Sequence, residues 1–236
     1  MLASALHPAQ VPVLLRGEPV PIQQWMRDWS AARLAFHVIV IFLGTAAFGA
    51  AIGCWRAPMQ AVFTAIKFPL ILLLTAVGNG LLNGMLAPLL GVNITFRQSL
   101  LAILMSFTIA AAILGAFSPL MFFLIWNAPP LGAVDESARN THAVILLWLV
   151  AMLAMAGIAG NIRLLQLLRE LSGSVANARR TLLAWLAGNL LLGSQLSWIL
   201  RPFVGNPGLP VEFLRADAFK GNFFEIVFAT IRQLIS

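Results

Sequence analysis

The sequence predicts an all-α fold, a polytopic transmembrane helical bundle of about five spans with amphipathic segments at its N- and C-terminal ends. Composition is the first observation behind this. Sixty per cent of the 236 residues are apolar and 10% are charged, whereas a soluble domain is roughly half apolar and about a quarter charged. Fifteen basic and eight acidic side chains cannot clothe a water-facing surface, so the apolar excess, with a mean hydropathy of +0.90, has to face lipid. The second observation is the grouping of the apolar residues into runs long enough to cross a bilayer, separated by short polar stretches. Cys54 is the only cysteine, which excludes a disulfide framework within the chain.

Residues 1–33 read as an irregular leader. Pro8, Pro12, Pro19 and Pro21 break any hydrophobic helix there and no basic residue precedes Leu14, so the pattern is not that of a cleavable signal. Trp25, Met26 and Trp29 alternate with Arg27, Asp28 and Arg33, which suits a segment in the headgroup layer; a solvated tail is the plainer alternative.

Residues 34–200 hold the spans. The first run, Leu34 to Cys54, has 21 residues and at about 1.5 Å per residue crosses a core of about 30 Å. The second, Phe68 to Leu90, is preceded by Lys67, whose stem is expected to snorkel to the headgroups, with Pro69 in the first turn. The third, Ser99 to Trp126, has 28 residues and needs a tilt or a kink, for which Pro119 is the site. A polar loop with Pro129, Pro130, Asp135 and Glu136 leads to the fourth, Ala143 to Ile162. The fifth, Leu182 to Leu200, is the shortest and carries Asn189, Ser194, Gln195 and Ser197; it either crosses or re-enters as a hairpin, since polar backbone and side chains at membrane depth need protein or water beside them. Trp55, Trp126 and Trp198 fall at span ends, where indoles favour the interface.

With the N-terminus inside, Arg16, Arg27, Arg33, Arg97, Arg163, Arg169, Arg179 and Arg180 lie on the cytoplasmic side and only Arg56, Lys67 and Arg139 on the other. That asymmetry predicts an N-in orientation in a membrane, expected to be a bacterial cytoplasmic (inner) membrane. The tail opposes it with Arg201, Arg215, Lys220 and Arg232, which lie outside if all five runs cross.

Chemistry is sparse. His7, His37 and His142 are the only histidines and none stands in a zinc-ligand spacing. No acidic residue lies within a run, and no Gly-rich loop is followed by Lys and Ser or Thr. The expectation is a protein that is not an enzyme and holds no cofactor. His37 leaves one opening: near a span start it either reaches the headgroups or supplies an axial imidazole to haem or a pigment.

Small and amide side chains carry the stronger pattern. Gly49 and Gly53 form a small-xxx-small ridge in the first run, and Gly80 and Gly84 do so in the second, with Gly78 beside them, where Asn79 and Asn83 share a face one turn apart. These positions are expected to pack helices. Asn79, Asn83, Asn161, Asn189 and Gln195 admit two readings, packing contacts inside the bundle or the lining of a permeation path or lipid pocket. Arg163, Arg169, Arg179 and Arg180, like Lys67, are expected to meet headgroups, anionic lipid included, or simply to fix topology. The sequence pI of about 11.5 does not point to nucleic acid, because the positive charges are scattered between spans.

In the tail, residues 201–236, three prolines and two glycines between Arg201 and Pro210 set a turn path rather than a helix. Arg201, Glu212, Arg215 and Asp217 offer charge pairs to dock it, or else are solvated. Beyond Ala218 an apolar stripe of Phe219, Phe223, Ile226, Val227, Ile231 and Leu234 suits the interface or a partner.

Between Pro58 and Pro119, Lys67-x-Pro69 before the second span, the Gly91-Val92-Asn93 turn and the late Pro119 together resemble the Ypt-interacting-protein (Yip) family of five-span membrane proteins. The tail from Arg201 is longer than that family's usual ending, and the leader is not its acidic, tyrosine-containing type. The resemblance implies an organising or trafficking-type membrane protein with no catalytic residues to carry over. Two functions are therefore expected: a non-enzymatic scaffold subunit that assembles as a homo-oligomer or in a larger membrane complex, or an oligomeric channel or transport subunit with an amide-lined pore.

Overall fold

The computed structural model describes residues 10–16, 30–92, 94–129, 136–205, 208–225 and 232, with the backbone alone at 136 and 137. Among them there is no strand. Six helices have both ends among the described residues: α1 (Gln10–Arg16), α2 (Ala31–Gly53), α3 (Pro58–Leu89), α4 (Phe96–Trp126), α5 (Glu136–Ser172) and α6 (Val175–Leu200). The last five are each long and apolar enough to cross a membrane, so the all-α transmembrane bundle is the observed fold.

Local chemistry explains where the helices stop. Ser30 caps α2 by accepting from the Arg33 amide at 3.2 Å, and Thr95 and Gln98 form a reciprocal capping box on α4. Gly91, at φ +79°, turns the chain out of α3 while the Val92 amide reaches back to the Ala87 carbonyl at 2.9 Å, an ending that needs a left-handed residue. Inside α4, Pro119 cannot donate to the Gly115 carbonyl, and the Ser118 hydroxyl takes that carbonyl at 2.7 Å.

Several boundaries differ from the apolar runs. A short helix, α1, forms in the leader with Pro12 tolerated in its first turn; its Leu14 is buried, and the Leu15 carbonyl accepts from the Arg163 guanidinium at 2.9 Å. The Trp25, Met26 and Trp29 turn lies outside the described residues. Helix α3 begins at Pro58, ten residues before the apolar run, so Pro69 sits in its interior rather than its first turn. Helix α5 continues past Ile162 to Ser172, Gly173 (φ +61°) reverses the chain, and α6 starts at Val175, with the Ser174 side chain accepting from the Asn177 amide.

The arrangement is a ring. Helices α3, α4, α5 and α6 each pack on the next in that order, with α6 returning to α3, and α2 lies outside the ring, where it makes the most extensive helix contacts in the molecule, with α3 and α4. Close backbone approach holds α2 there. A Cβ on Gly49 would meet the Thr64 carbonyl at 2.6 Å, one on Gly53 the Gln60 carbonyl at 2.6 Å, and one on Gly44 the Ala111 carbonyl. The most enclosed helix is α4. Helix α6 is the least enclosed, because it buries Ala178, Thr181 and Trp185 near its start and then nothing until Leu200.

The fifth run does not re-enter. Helix α6 is one uninterrupted helix of 26 residues, about 39 Å long, and runs antiparallel to α3 along that helix's length. Asn177 lies against Gly91 at one end, Leu192 meets Gly78 partway along, and Pro202 and Phe203 meet Gln60 and Thr64 at the other. The tail after Leu200 therefore sits at the end of the bundle that carries the α2–α3 turn, where the Arg56 guanidinium donates to the Leu209 carbonyl at 3.1 Å.

Candidate functional site

Helix α3 carries a polar stripe that the apolar run hides. Gln60, Thr64, Lys67, Thr75, Asn79 and Asn83 recur at steps of three, four and eight residues, hence on one face, and all are buried. Polar groups taken out of water inside an apolar bundle are costly unless they find partners, and the stripe divides into three parts by what each has found.

At the α2–α3 turn end the partners are main-chain carbonyls of the tail. Gln60 Nε2 donates to the Pro202 carbonyl at 3.0 Å and the Phe203 carbonyl at 2.9 Å. Thr64 Oγ1 reaches the Phe203 carbonyl at 2.6 Å, and Lys67 Nζ the Pro202 carbonyl at 2.9 Å. The need is mutual, since a chain that leaves a helix exposes carbonyls without intrahelical donors. Rings complete the clasp: Phe203 stands edge-on to Phe68, Phe213 to Phe63, and Lys67 Nζ lies 5.1 Å from the Phe213 ring centre. Lys67 accordingly does not snorkel to the headgroups. Its stem and ammonium are enclosed because α3 extends ten residues beyond the expected span start and the tail folds over that extension.

In the middle Asn79 ties α3 to α6. Its amide nitrogen donates to the Trp185 carbonyl at 3.1 Å and to the Asn189 side-chain oxygen. Gly188 makes the approach possible, because a Cβ there would overlap the Asn79 amide oxygen. One turn further on, Asn83 is fully buried with neither amide atom hydrogen-bonded.

Thr75 faces the centre of the ring. A cavity of about 250 Å³ lies there, lined from all four helices by Thr75, Ser106, Asn161, Asn189 and Ser197 among apolar neighbours such as Ile71, Phe107, Leu114 and Leu153. No charged side chain lines it. It opens between α5 and α6, where Leu153 stays exposed and Gly157, Asn161, Asn189, Gly193 and Ser197 are half-buried.

The five amides expected to act as a set are thus distributed. Asn79 is sealed between α3 and α6, Asn83 is buried one turn further along α3, Asn161 and Asn189 line the central cavity, and Gln195 accepts from the Phe223 amide at 3.3 Å. Among the glycines, Gly80 and Gly84 face Leu100 and Phe96 around the start of α4, whereas Gly78 faces Leu192 of α6. Of the basic set, Arg169, Arg179 and Arg180 are exposed, and Arg163 binds Gln166 as well as the Leu15 carbonyl. In the tail Arg201 pairs with Asp217 at 3.2 Å and stacks 3.5 Å from the Trp198 ring centre; Glu212 is exposed and Arg215 half-buried. Ile226, Val227, Ile231 and Leu234 lie outside the described residues.

His37 does not reach the headgroups. At 2% exposure it sits between α2 and α4 with Nδ1 2.9 Å from Thr108 Oγ1. The hydroxyl proton of Thr108 goes to the Leu104 carbonyl, so Nδ1 carries the hydrogen of this contact. Among the described residues no three His, Cys, Asp or Glu side chains come together.

Sequence reasoning missed Gln60, Thr64 and Thr75. The three-and-four spacing that links them to Lys67, Asn79 and Asn83 was the available signal. Comparison with protein-family models, with curated proteins and with solved structures finds no match.

Proposed function

We propose that the protein is a non-enzymatic organising subunit of a membrane, with its N-terminus in the cytoplasm of a bacterial cell, that assembles with copies of itself through the outer face of α6. The Yip-like layout belongs to this reading. The observation that carries it is the weak enclosure of α6: from Leu186 to Ile199 no residue is buried, and Leu183, Leu190 and Leu191 point outward on the helix with the lowest hydropathy of the five. A helix of that kind packs better against another helix than against acyl chains, because interhelical contact in lipid is driven by close packing and side-chain hydrogen bonds. The chain's one thiol offers a direct test. With Cys54 replaced by Ser, Leu190→Cys or Leu191→Cys should give disulfide-linked dimers on mild oxidation in native membranes, while Leu81→Cys on the outer face of α3 should not. Monomers throughout, by crosslinking and by native mass measurement, would overturn the assembly. Amide-lined transport is the second reading, favoured by the Asn161 and Asn189 amides in the lining of the central cavity; selective flux in proteoliposomes that Asn189→Leu abolishes would support it.

A further inference from the structure

We propose that the central cavity between α3, α4, α5 and α6 is a binding site for the uncharged, hydrogen-bonding head of a neutral acylglycerol, which enters sideways from the bilayer between α5 and α6. Four observations lead there.

The first is an unused hydroxyl. Thr45 and Thr108 each donate to the carbonyl four residues back on their own helix, at 2.6 and 2.7 Å, the usual refuge for a threonine in an apolar helix, and Thr64 gives its proton to the Phe203 carbonyl. Thr75 does neither: at 3% exposure its Oγ1 has no partner, and it lines the cavity. A buried hydroxyl kept from its own backbone is costly unless something else takes the bond.

The second is the complementary character of the two amides. Asn161 donates its nitrogen to the Gly157 carbonyl at 2.8 Å, which leaves its oxygen as an acceptor. Asn189 gives its oxygen to Asn79, which leaves its nitrogen as a donor. Together with Thr75 they suit a head that both donates and accepts, such as a free hydroxyl beside an ester carbonyl.

The third is space that small residues keep open. A Cβ on Gly157 would meet nothing within 4 Å, and one on Gly193 only Thr75, at 3.8 Å. Elsewhere in the bundle glycines lie against a neighbouring backbone, as Gly49, Gly53 and Gly160 do, or closely against a side chain, as Gly78 and Gly188 do; Gly157 and Gly193 face empty volume, about 250 Å³ in all, enough for roughly eight waters' worth of liquid or a glycerol head with the start of one chain.

The fourth is charge and access. With no ionised group in the lining, a phosphate head would lose its hydration with nothing to replace it. The mouth faces lipid, so an acyl chain can stay in the bilayer while the head enters.

The test uses the full chain in nanodiscs and a diazirine-bearing diacylglycerol, with a diazirine phosphatidylglycerol as the charged counterpart. On irradiation the neutral probe should label peptides containing residues 71–75, 153–161 or 189–197, in competition with unlabelled dioctanoylglycerol. Thr75→Val should reduce that labelling about fivefold, the loss of one hydrogen bond. Gly157→Leu, which fills open space, should abolish it while the thermal unfolding midpoint is kept. Equal labelling of these peptides by both probes, labelling undiminished in Gly157→Leu, labelling confined to outward faces, or crosslinks from the cavity to a second copy of the chain would each overturn the proposal.

Discussion

Asn79 and Asn83 are chemically identical, sit one turn apart on one helix face and are equally buried, yet they do different things. Asn79 bridges to Trp185 and Asn189, so Asn79→Leu removes two interhelical bonds and leaves an acceptor stranded. It should cost about 1–2 kcal/mol. Asn83 meets no partner, so Asn83→Leu replaces an unpaired amide by an isosteric apolar group and should be neutral or stabilising by up to about 1 kcal/mol. Thermal unfolding followed by tryptophan fluorescence distinguishes the two, and an equal loss for both would refute the difference. From the sequence their shared face was legible, because it follows from spacing alone. Which of them is satisfied was not, since that depends on the register of α6 against α3 some hundred residues later in the chain.

The helices themselves were readable as apolar runs, and the exceptions have one cause. Helix α3 was read as starting at Phe68 because Gln60, Thr64 and Lys67 interrupt the hydropathy. Those residues are buried all the same, because the tail brings the Pro202 and Phe203 carbonyls to them. A hydropathy argument has no means of foreseeing main-chain acceptors supplied by another segment. The sequence leaves the tail's charges either as docking pairs or as solvated groups; Arg201 and Asp217 do pair, but the attachment to α3 is main-chain to side-chain. Gln60→Leu combined with Thr64→Val strands the Phe203 carbonyl and leaves the Pro202 carbonyl to Lys67 alone, which should loosen the tail, so that limited trypsin digestion cuts after Arg215 about tenfold faster. Glu212→Gln, at an exposed position, should leave the rate unchanged. An unaltered rate in the double variant would mean that Lys67 and the rings hold the clasp without Gln60 and Thr64.

For the whole molecule, five crossings set the sidedness of every loop. Cys54, exposed at the end of α2, and Leu209 in the tail belong to one end of the bundle, and Val175 at the start of α6 to the other. A membrane-impermeant maleimide should therefore reach Cys54 in the natural chain and Leu209→Cys in a Cys54→Ser background from the same face, and Val175→Cys only from the opposite one. Labelling of Leu209→Cys and Val175→Cys from one face would contradict a crossing α6. The number of spans came through from composition and run length. The cavity did not, since a ring whose opposite helices stand apart is a property of how helices meet and no single helix records it.

The clasp between α3 and the tail is written on one strand of the chain only. To its hydrogen bonds Gln60, Thr64 and Lys67 contribute side chains, while Pro202 and Phe203 contribute main-chain carbonyls, a group every residue carries. Among descendants of this sequence the donors should resist change whatever side chain stands at 202, so the hydrogen bonds of this attachment should leave little trace as paired substitutions, and only the ring contact of Phe203 with Phe68 should leave one.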